Sequence, residues 1–412
     1  MSVYDRWWKT QRQADGSVRR IPSSDYGCAR RWQVRWRDES GRQRKRNFSK
    51  RDGKNPERDA SAFDAKMKAA LDAGTALDLA AGKMIVREYA ALYRRDLLHR
   101  NSTAERVDRV FRLHVDPLPL GRMPMTQVRS SHMRAWVKDR SQVLAPSTLS
   151  VVWSNLTSMF SAAVTDRVIG ISPCAGVKLP GIPGHDHYIP AAEQVHELAA
   201  ALPERYSAIV YLAAGCGLRG AEITGLELES VDFLQREIDV SQQLVCVTGV
   251  EPYLGPPKTR GSARTVEMPA VTIAALARHI ELFPPPEVEI WDRTDSDQRK
   301  HHRRTARLLF VTFAGRPIYR ATWAHLWAPA ARRAGIPRGI GLHCLRHYFA
   351  TLLIHHGAGV KRVQLALGHS TPMITLNTYA GEWPDTDDQA RVIVDSVLGN
   401  VPCVCPVRRA VR

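Results

Sequence analysis

The 412-residue sequence contains no apolar run long enough to cross a bilayer, and its basic, tryptophan-rich start does not resemble a secretion signal. No membrane partner is expected, and a cytoplasmic location is. Its seven cysteines, at 28, 174, 216, 246, 344, 403 and 405, show neither paired CxxC spacing nor the density of a disulfide scaffold, which fits reduced thiols. The one close pair, Cys403 and Cys405, lies in a Pro/Val/Arg tail and reads as a solvated end. A P-loop and a carboxylate cluster for two-metal catalysis are both absent, so no cofactor and no metal are expected. Acidic residues are scarce too: 41 Asp and Glu stand against 59 Lys and Arg, a formal charge of +18 that points to a polyanionic partner.

What is present starts with the distribution of that charge. Residues 1–54 hold 16 Lys and Arg against 6 Asp and Glu. Within them "RRWQVRWRDESGRQRKRNF" alternates Trp32, Val34 and Trp36 with Gln33, Arg35 and Arg37, turns at Asp38–Gly41, and returns through a second arginine-rich run to Phe48. Period-two alternation predicts a β-hairpin with one aromatic and one cationic face, backed by a helix over 57–73 through Ala62, Met67, Ala70 and Leu71. Such a ribbon can enter a DNA groove, with Arg35, Arg37, Arg44 and Lys45 as the contacts. A merely soluble amphipathic hairpin is the alternative on these residues alone. Residues 1–75 form this basic domain.

Residues 83–172 turn helical. Tyr89, Leu92 and Tyr93 space one helix, and Ser102-x-x-Glu105 predicts a capping box for the next. A third helix runs near 130–140, and a fourth from Pro146 buries Leu149, Val152, Trp153, Leu156, Phe160 and Ala163. The Pro/Gly-rich stretch 173–190 reads as a linker. A mostly helical domain with small strands follows over 191–400, then a tail over 401–412. Strand-like runs at 236–247 and 262–269 flank "PPKTRG", and polar residues 291–307 read as an exposed insertion in which His301 and His302 carry no role. The fold class expected is a mainly α multidomain chain with small β-sheets: a basic β-hairpin arm domain, a four-helix domain and a mixed α/β domain.

Three motifs in the last domain carry chemistry. "HCLRHYFAT" puts His343, Arg346 and His347 at i, i+3 and i+4, on one helix face. "GCGLRGAE" breaks a helix at glycine and restarts it with Arg219 in the first turn and Glu222 one turn on, an arrangement suited to anions. "LGHSTPMITLNTYAG" ends a helix at Gly368, leaves His369 in the break and reaches Tyr379 near the end of a new helix.

Taken together, these boxes resemble the tyrosine recombinase, or phage integrase, family. The resemblance covers residues 190–400 by motif and the preceding regions by architecture. It implies that Arg219 and Arg346 bind the scissile phosphate, with Glu222 and His347 in support. "PPKTRGSART" implies a β-hairpin with a catalytic lysine, Lys258. His343 and His369 would add donors, with His343 exchanging the proton of the nucleophile, Tyr379. Cys344 departs from the family, which often has an acidic residue there. The implied activity is site-specific DNA recombination through a 3′-phosphotyrosyl link, needing neither ATP nor metal. The implied partners are double-stranded DNA at core and arm attachment sites, a homotetramer on that DNA, and a directionality factor or host DNA-bending protein. A helix near 388–398 could dock on a neighbouring protomer. A type IB topoisomerase and a non-catalytic DNA-binding protein are the competing readings.

Overall fold

The structure, a computed structural model, describes residues 2–13, 17–28, 30–37, 43–72, 81–98, 100–183, 187–383, 394–396 and 398. It comprises two compact units, 1–184 and 185–412, both rich in helix with small sheets. The Asp38–Gly41 turn, the cysteines of the tail and most of the 388–398 segment lie outside the described residues.

In the first unit, β1 (Ser2–Asp5) is followed by a two-stranded ribbon, β2 (Trp8–Arg12) and β3 (Val18–Pro22). β4 (Trp32–Arg37) then pairs with β1 on one side and β5 (Gln43–Phe48) on the other, giving a three-stranded sheet in the order β1-β4-β5. The expected hairpin is the inner part of this sheet, and the ribbon is an addition to it. Register opposes Trp32 to Phe48, Val34 to Arg46 and Trp36 to Arg44. Directly opposed residues share a face. Arg44 therefore stands on the tryptophan side, not beside Arg35, Arg37 and Lys45, so the two faces are less cleanly divided than the alternation of one strand suggests. α1 (Ala60–Asp72) covers the tryptophan side, and its Phe63 joins Val34, Trp36, Phe48 and Ala60 in a small core.

A separate core forms among α2 (Val86–Asp96), α3 (Asn101–His114), α4 (Ser130–Arg140) and α5 (Pro146–Thr165). Pro146 fits the first turn of α5, where no N–H is needed, and Leu149, Val152, Leu156, Phe160 and Ala163 recur as one buried stripe. The capping box does not form. α3 begins two residues earlier, with Arg100 as its cap and no side-chain cap bond, and Glu105 pairs with Arg109 instead. Cys174 is buried in this core, with Val177 and Leu179 packed against it. The start of the expected linker thus belongs to the helical region, because its apolar residues complete that core.

The second unit opens with α6 (Ala192–Ala201), α7 (Glu204–Cys216) and the short α8 (Gly220–Thr224). β6 (Val231–Asp232) and β7 (Glu237–Val240) form the start of one antiparallel sheet, and β8 (Gln243–Val245) and β9 (Tyr253–Gly255) the start of another. β10 (Arg264–Glu267) joins β7. After α9 (Ala270–Leu282), β11 (Glu287–Asp292) and β12 (His302–Arg307) complete the second sheet in the order β12-β11-β9-β8. α10 (Arg320–Arg333), α11 (His343–His355), α12 (Val360–Leu367) and α13 (Pro372–Tyr379) follow.

Two expectations change here. "PPKTRG" does not close a hairpin, since β9 and β10 belong to different sheets. Residues 291–307 are not an insertion but much of the β11–β12 pair; its outward charges disguise a strand as a loop. Arg304 reaches from that pair to Glu227 and lies 2.7 Å from Asp292. α7, α10 and the start of α11 share the main core, which includes Tyr206, Ile209, Trp327 and Leu345. Ala350, Ile354, Val363, Leu367 and Tyr379 form a second cluster. No helix among the described residues is long and apolar enough to cross a membrane.

Candidate active site

Arg346 lies in the first turns of α11 and is 1% exposed. Two backbone carbonyls hold it: Nη1 donates to Gly217 and Nη2 to Leu367. Both carbonyls stand at helix C-termini. α7 ends at Gly217 and α12 at Gly368, each glycine in the left-handed conformation with φ of 63° and 62°. That geometry frees the last carbonyls from their helices and turns the negative ends of two helix dipoles on one cation. No carboxylate pairs with Arg346 among the described residues. Burial and the charges of Arg219 and Arg264 push its pKa down to about 9. Desolvated positive charge held by neutral groups suits an incoming anion.

Next to it, Glu222 of α8 is also 1% exposed. Its Oε1 accepts from Nη1 of Arg219 at 2.7 Å, and its Oε2 accepts from the Arg219 backbone N–H at 3.0 Å and from Nη2 of Arg264 at 3.1 Å. Burial raises the pKa of this carboxyl, but the Arg264 charge, its hydrogen bond and the Arg219 contacts outweigh that, and the net shift is downward. The amide of Arg219 is thus occupied rather than free, and the guanidinium is the group left to face a ligand. Nη1 of Arg219 also reaches Ser262 Oγ at 3.4 Å, and fully buried Ser262 donates to the Gly368 carbonyl at 3.2 Å. Arg264 Nε donates to the Ala366 carbonyl at 2.9 Å. These bonds tie α8, β10 and the end of α12 together.

Tyr379, the last residue of α13, is 2% exposed. Its Oη lies 2.7 Å from Nδ1 of His347. Burial raises the phenol to about 12 against the lowering field of Arg346. Burial, then neighbouring His187 and His343, lowers His347 to about 3. The imidazole on the phenol is therefore His347, whereas the sequence assigns the proton exchange to His343. His343 meets His347 edge-on, with ring centroids 4.8 Å apart. Its outer edge stays open to solvent, while crowding by the protein and the charges of Arg346 and Arg219 lower it to about 4. His369 sits after α12 with Nδ1 2.9 Å from Thr375 Oγ1, and burial with the same two guanidinium groups lowers it to about 4.

Arg219, Glu222, His343, Arg346, His347, His369 and Tyr379 thus come from four separate stretches of chain to one locality. Lys258 is exposed in the bend after β9. The following residue, Thr259, bonds Ser262 at 2.8 Å, which connects that bend to the site. Arg35, Arg37, Arg44 and Lys45 belong to the other unit. Sequence reasoning missed Arg264, Ser262 and His187. Arg264 was legible: it alternates with buried Val266 on β10, and an inward arginine on a strand needs a carboxylate. His187 carried no signal, because its role comes only from what it stacks against.

Residues 191–383 match the model of the phage integrase family. A XerC-like tyrosine recombinase from Caldanaerobacter subterraneus is 28% identical over 261 residues, which cover 60% of this chain and 65% of that protein, just under two thirds of its length. The integrase of Mycobacterium phage D29 is 23% identical over 259 residues, covering 62% of this chain and 64% of that one. Among solved structures, the Tn1549 transposon integrase in complex with a circular intermediate DNA matches with a TM-score of 0.64 and 23% identity, over 76% of this chain and 99% of that one. The fold is therefore of the integrase type, with the arginines, histidines and terminal-helix tyrosine set into it. Residues 191–383, a little under half of the chain, are thus similar to the phage integrase family.

Proposed function

We propose that this protein is a site-specific DNA recombinase, an integrase of a phage or other mobile element. The observation that carries the reading is the meeting of Tyr379 with His347 beside Arg346, a buried guanidinium that no carboxylate pairs with among the described residues. Arg219 and Arg346 grip the non-bridging oxygens of a DNA phosphodiester, and His343 and His369 add donors to the same oxygens. Oη of Tyr379 attacks phosphorus while its proton passes to Nδ1 of His347. The bond from phosphorus to the 5′-oxygen breaks, and Lys258 delivers a proton to that oxygen. A 3′-phosphotyrosyl link and a free 5′-hydroxyl result, and a 5′-hydroxyl from a second duplex reverses the step. Glu222 and Arg264 hold Arg219 in place for this.

The four-helix region and the catalytic unit would contact core sites. The N-terminal sheet, with Arg35, Arg37 and Lys45 on its cationic side, would hold arm sites. Four protomers would act on two duplexes with a directionality factor or host DNA-bending protein. A nicked suicide duplex tests the reading. Wild-type protein should become covalently attached to it, and Tyr379→Phe should keep DNA affinity but form no adduct. A protein that binds equally well in both forms and never attaches would be a DNA-binding protein only. Resealing of a single duplex without exchange would make it a topoisomerase.

A further inference from the structure

His187 lies just before α6 and belongs to no helix or strand. Its imidazole nevertheless lies flat on that of His347, with ring centroids 4.0 Å apart and planes inclined by 13°. The same ring is 6.1 Å from that of Tyr379. The next side chain is anchored. Tyr188 Oη donates to Gln194 Oε1 at 3.0 Å, and Gln194 Nε2 donates to the Ala334 carbonyl, also at 3.0 Å. The residue after His187 is thus tied through α6 to the end of α10.

An imidazole turns about a broad terminal torsion, and Nδ1 faces the phenol only while the ring plane is held. The hydrogen bond to Tyr379 alone is a single contact. The flat stack of His187 and the edge of His343 supply the remaining restraint. We propose that His187 is a positioning residue for the nucleophile: its stacked ring fixes the plane of His347 and so keeps the proton acceptor on the Tyr379 hydroxyl. The inference rests on the reading of Tyr379 as nucleophile. It adds that the start of the second unit is part of the chemistry, since whatever displaces residue 187 also releases His347.

Two measurements on the full-length protein test it. In the first, adduct formation on the nicked duplex should fall about tenfold in His187→Ala, as a misaligned reacting group predicts, with DNA affinity unchanged. His187→Phe should restore most of the rate, because it keeps a flat ring. On a His347→Ala background, His187→Ala should have no further effect, since residues acting through one another are not additive. An unchanged or increased rate in His187→Ala, no rescue by phenylalanine, or an equal loss on the His347→Ala background would each overturn the proposal. In the second, nitrogen-15 NMR of the histidines should show one hydrogen-bonded tautomer of His347 in wild type and in His187→Phe, and averaging in His187→Ala. An unchanged His347 signal in His187→Ala overturns the positioning role whatever the activity. Loss of that signal in a protein that never attaches to DNA overturns the recombinase reading alone.

Discussion

Gly217 and Arg346, 129 residues apart in sequence, meet where the last carbonyl of α7 accepts a hydrogen bond from the guanidinium of α11. The glycine can offer that carbonyl because it adopts φ of 63°. A Cβ there would also lie 2.4 Å from a ring carbon of Phe349. Gly217→Ala should therefore cost about 1–3 kcal/mol, the range for a non-glycine held in this conformation. Because the carbonyl shifts with it, DNA cleavage should fall by more than the loss of folded protein explains. Denaturant titration and single-turnover cleavage on the same sample separate the two effects.

Arg346→Lys keeps the charge but loses the fork that spans two helix ends. A lysine cannot satisfy both carbonyls and grip a phosphate as well. Cleavage should drop roughly a hundred- to thousandfold, as for loss of one preorganised donor at a developing charge. Adduct yield over time on the nicked duplex measures it.

Glu222→Gln leaves Arg219 and Arg264 without their shared carboxylate. Breaking a buried ion pair by removing one partner costs about 3–5 kcal/mol, and chemical denaturation should show a loss near the lower end, since the amide retains hydrogen bonds. Were the variant as stable as wild type, the carboxylate would not be what holds these arginines.

Acid should weaken the catalytic unit through its histidines. His343 and His369 titrate near 4 and His347 near 3 in the folded protein, against 6.5 for an ordinary histidine. Their folded pKa values are depressed, so between pH 6.5 and about 4 the unfolded chain binds protons that the folded one refuses, and stability is lost as pH falls. Above pH 6.5 these groups add no pH dependence. Thermal melting from pH 7.5 to 4.5 should follow that course, with a shallower slope in His369→Asn.

In the N-terminal sheet, Arg35→Ala and Lys45→Ala should weaken DNA binding and each reduce the salt dependence by about one phosphate contact. Arg44→Ala should act mainly on stability, because its side chain shares the tryptophan face. Fluorescence anisotropy across a salt series distinguishes them.

Much of this is legible in the sequence alone. The face shared by His343, Arg346 and His347 follows from helical spacing, and the boundaries at Gly217 and Gly368 follow from glycine after an apolar run. What stayed hidden depends on partners far along the chain. Nothing local says that a guanidinium will rest on the ends of two other helices, or that His347 and not His343 will meet the phenol. Residues 291–307 read as a loop because β12 shows charges to water, and only the reach of Arg304 to Glu227 reveals the strand as structural. Arg44 was placed on the wrong side for a related reason: alternation within one strand does not fix which face its neighbour's residues join.

Among the described residues, Arg219 and Arg264 share the Glu222 carboxylate, and Arg346 beside them pairs with none. The charges of this centre are therefore unequal, and a bound anion would offset the excess. Sulfate or phosphate in a storage buffer should raise the melting temperature, and heparin more so. On the proposed function, the same excess of positive charge would draw a DNA phosphate into the centre before any bond is made or broken.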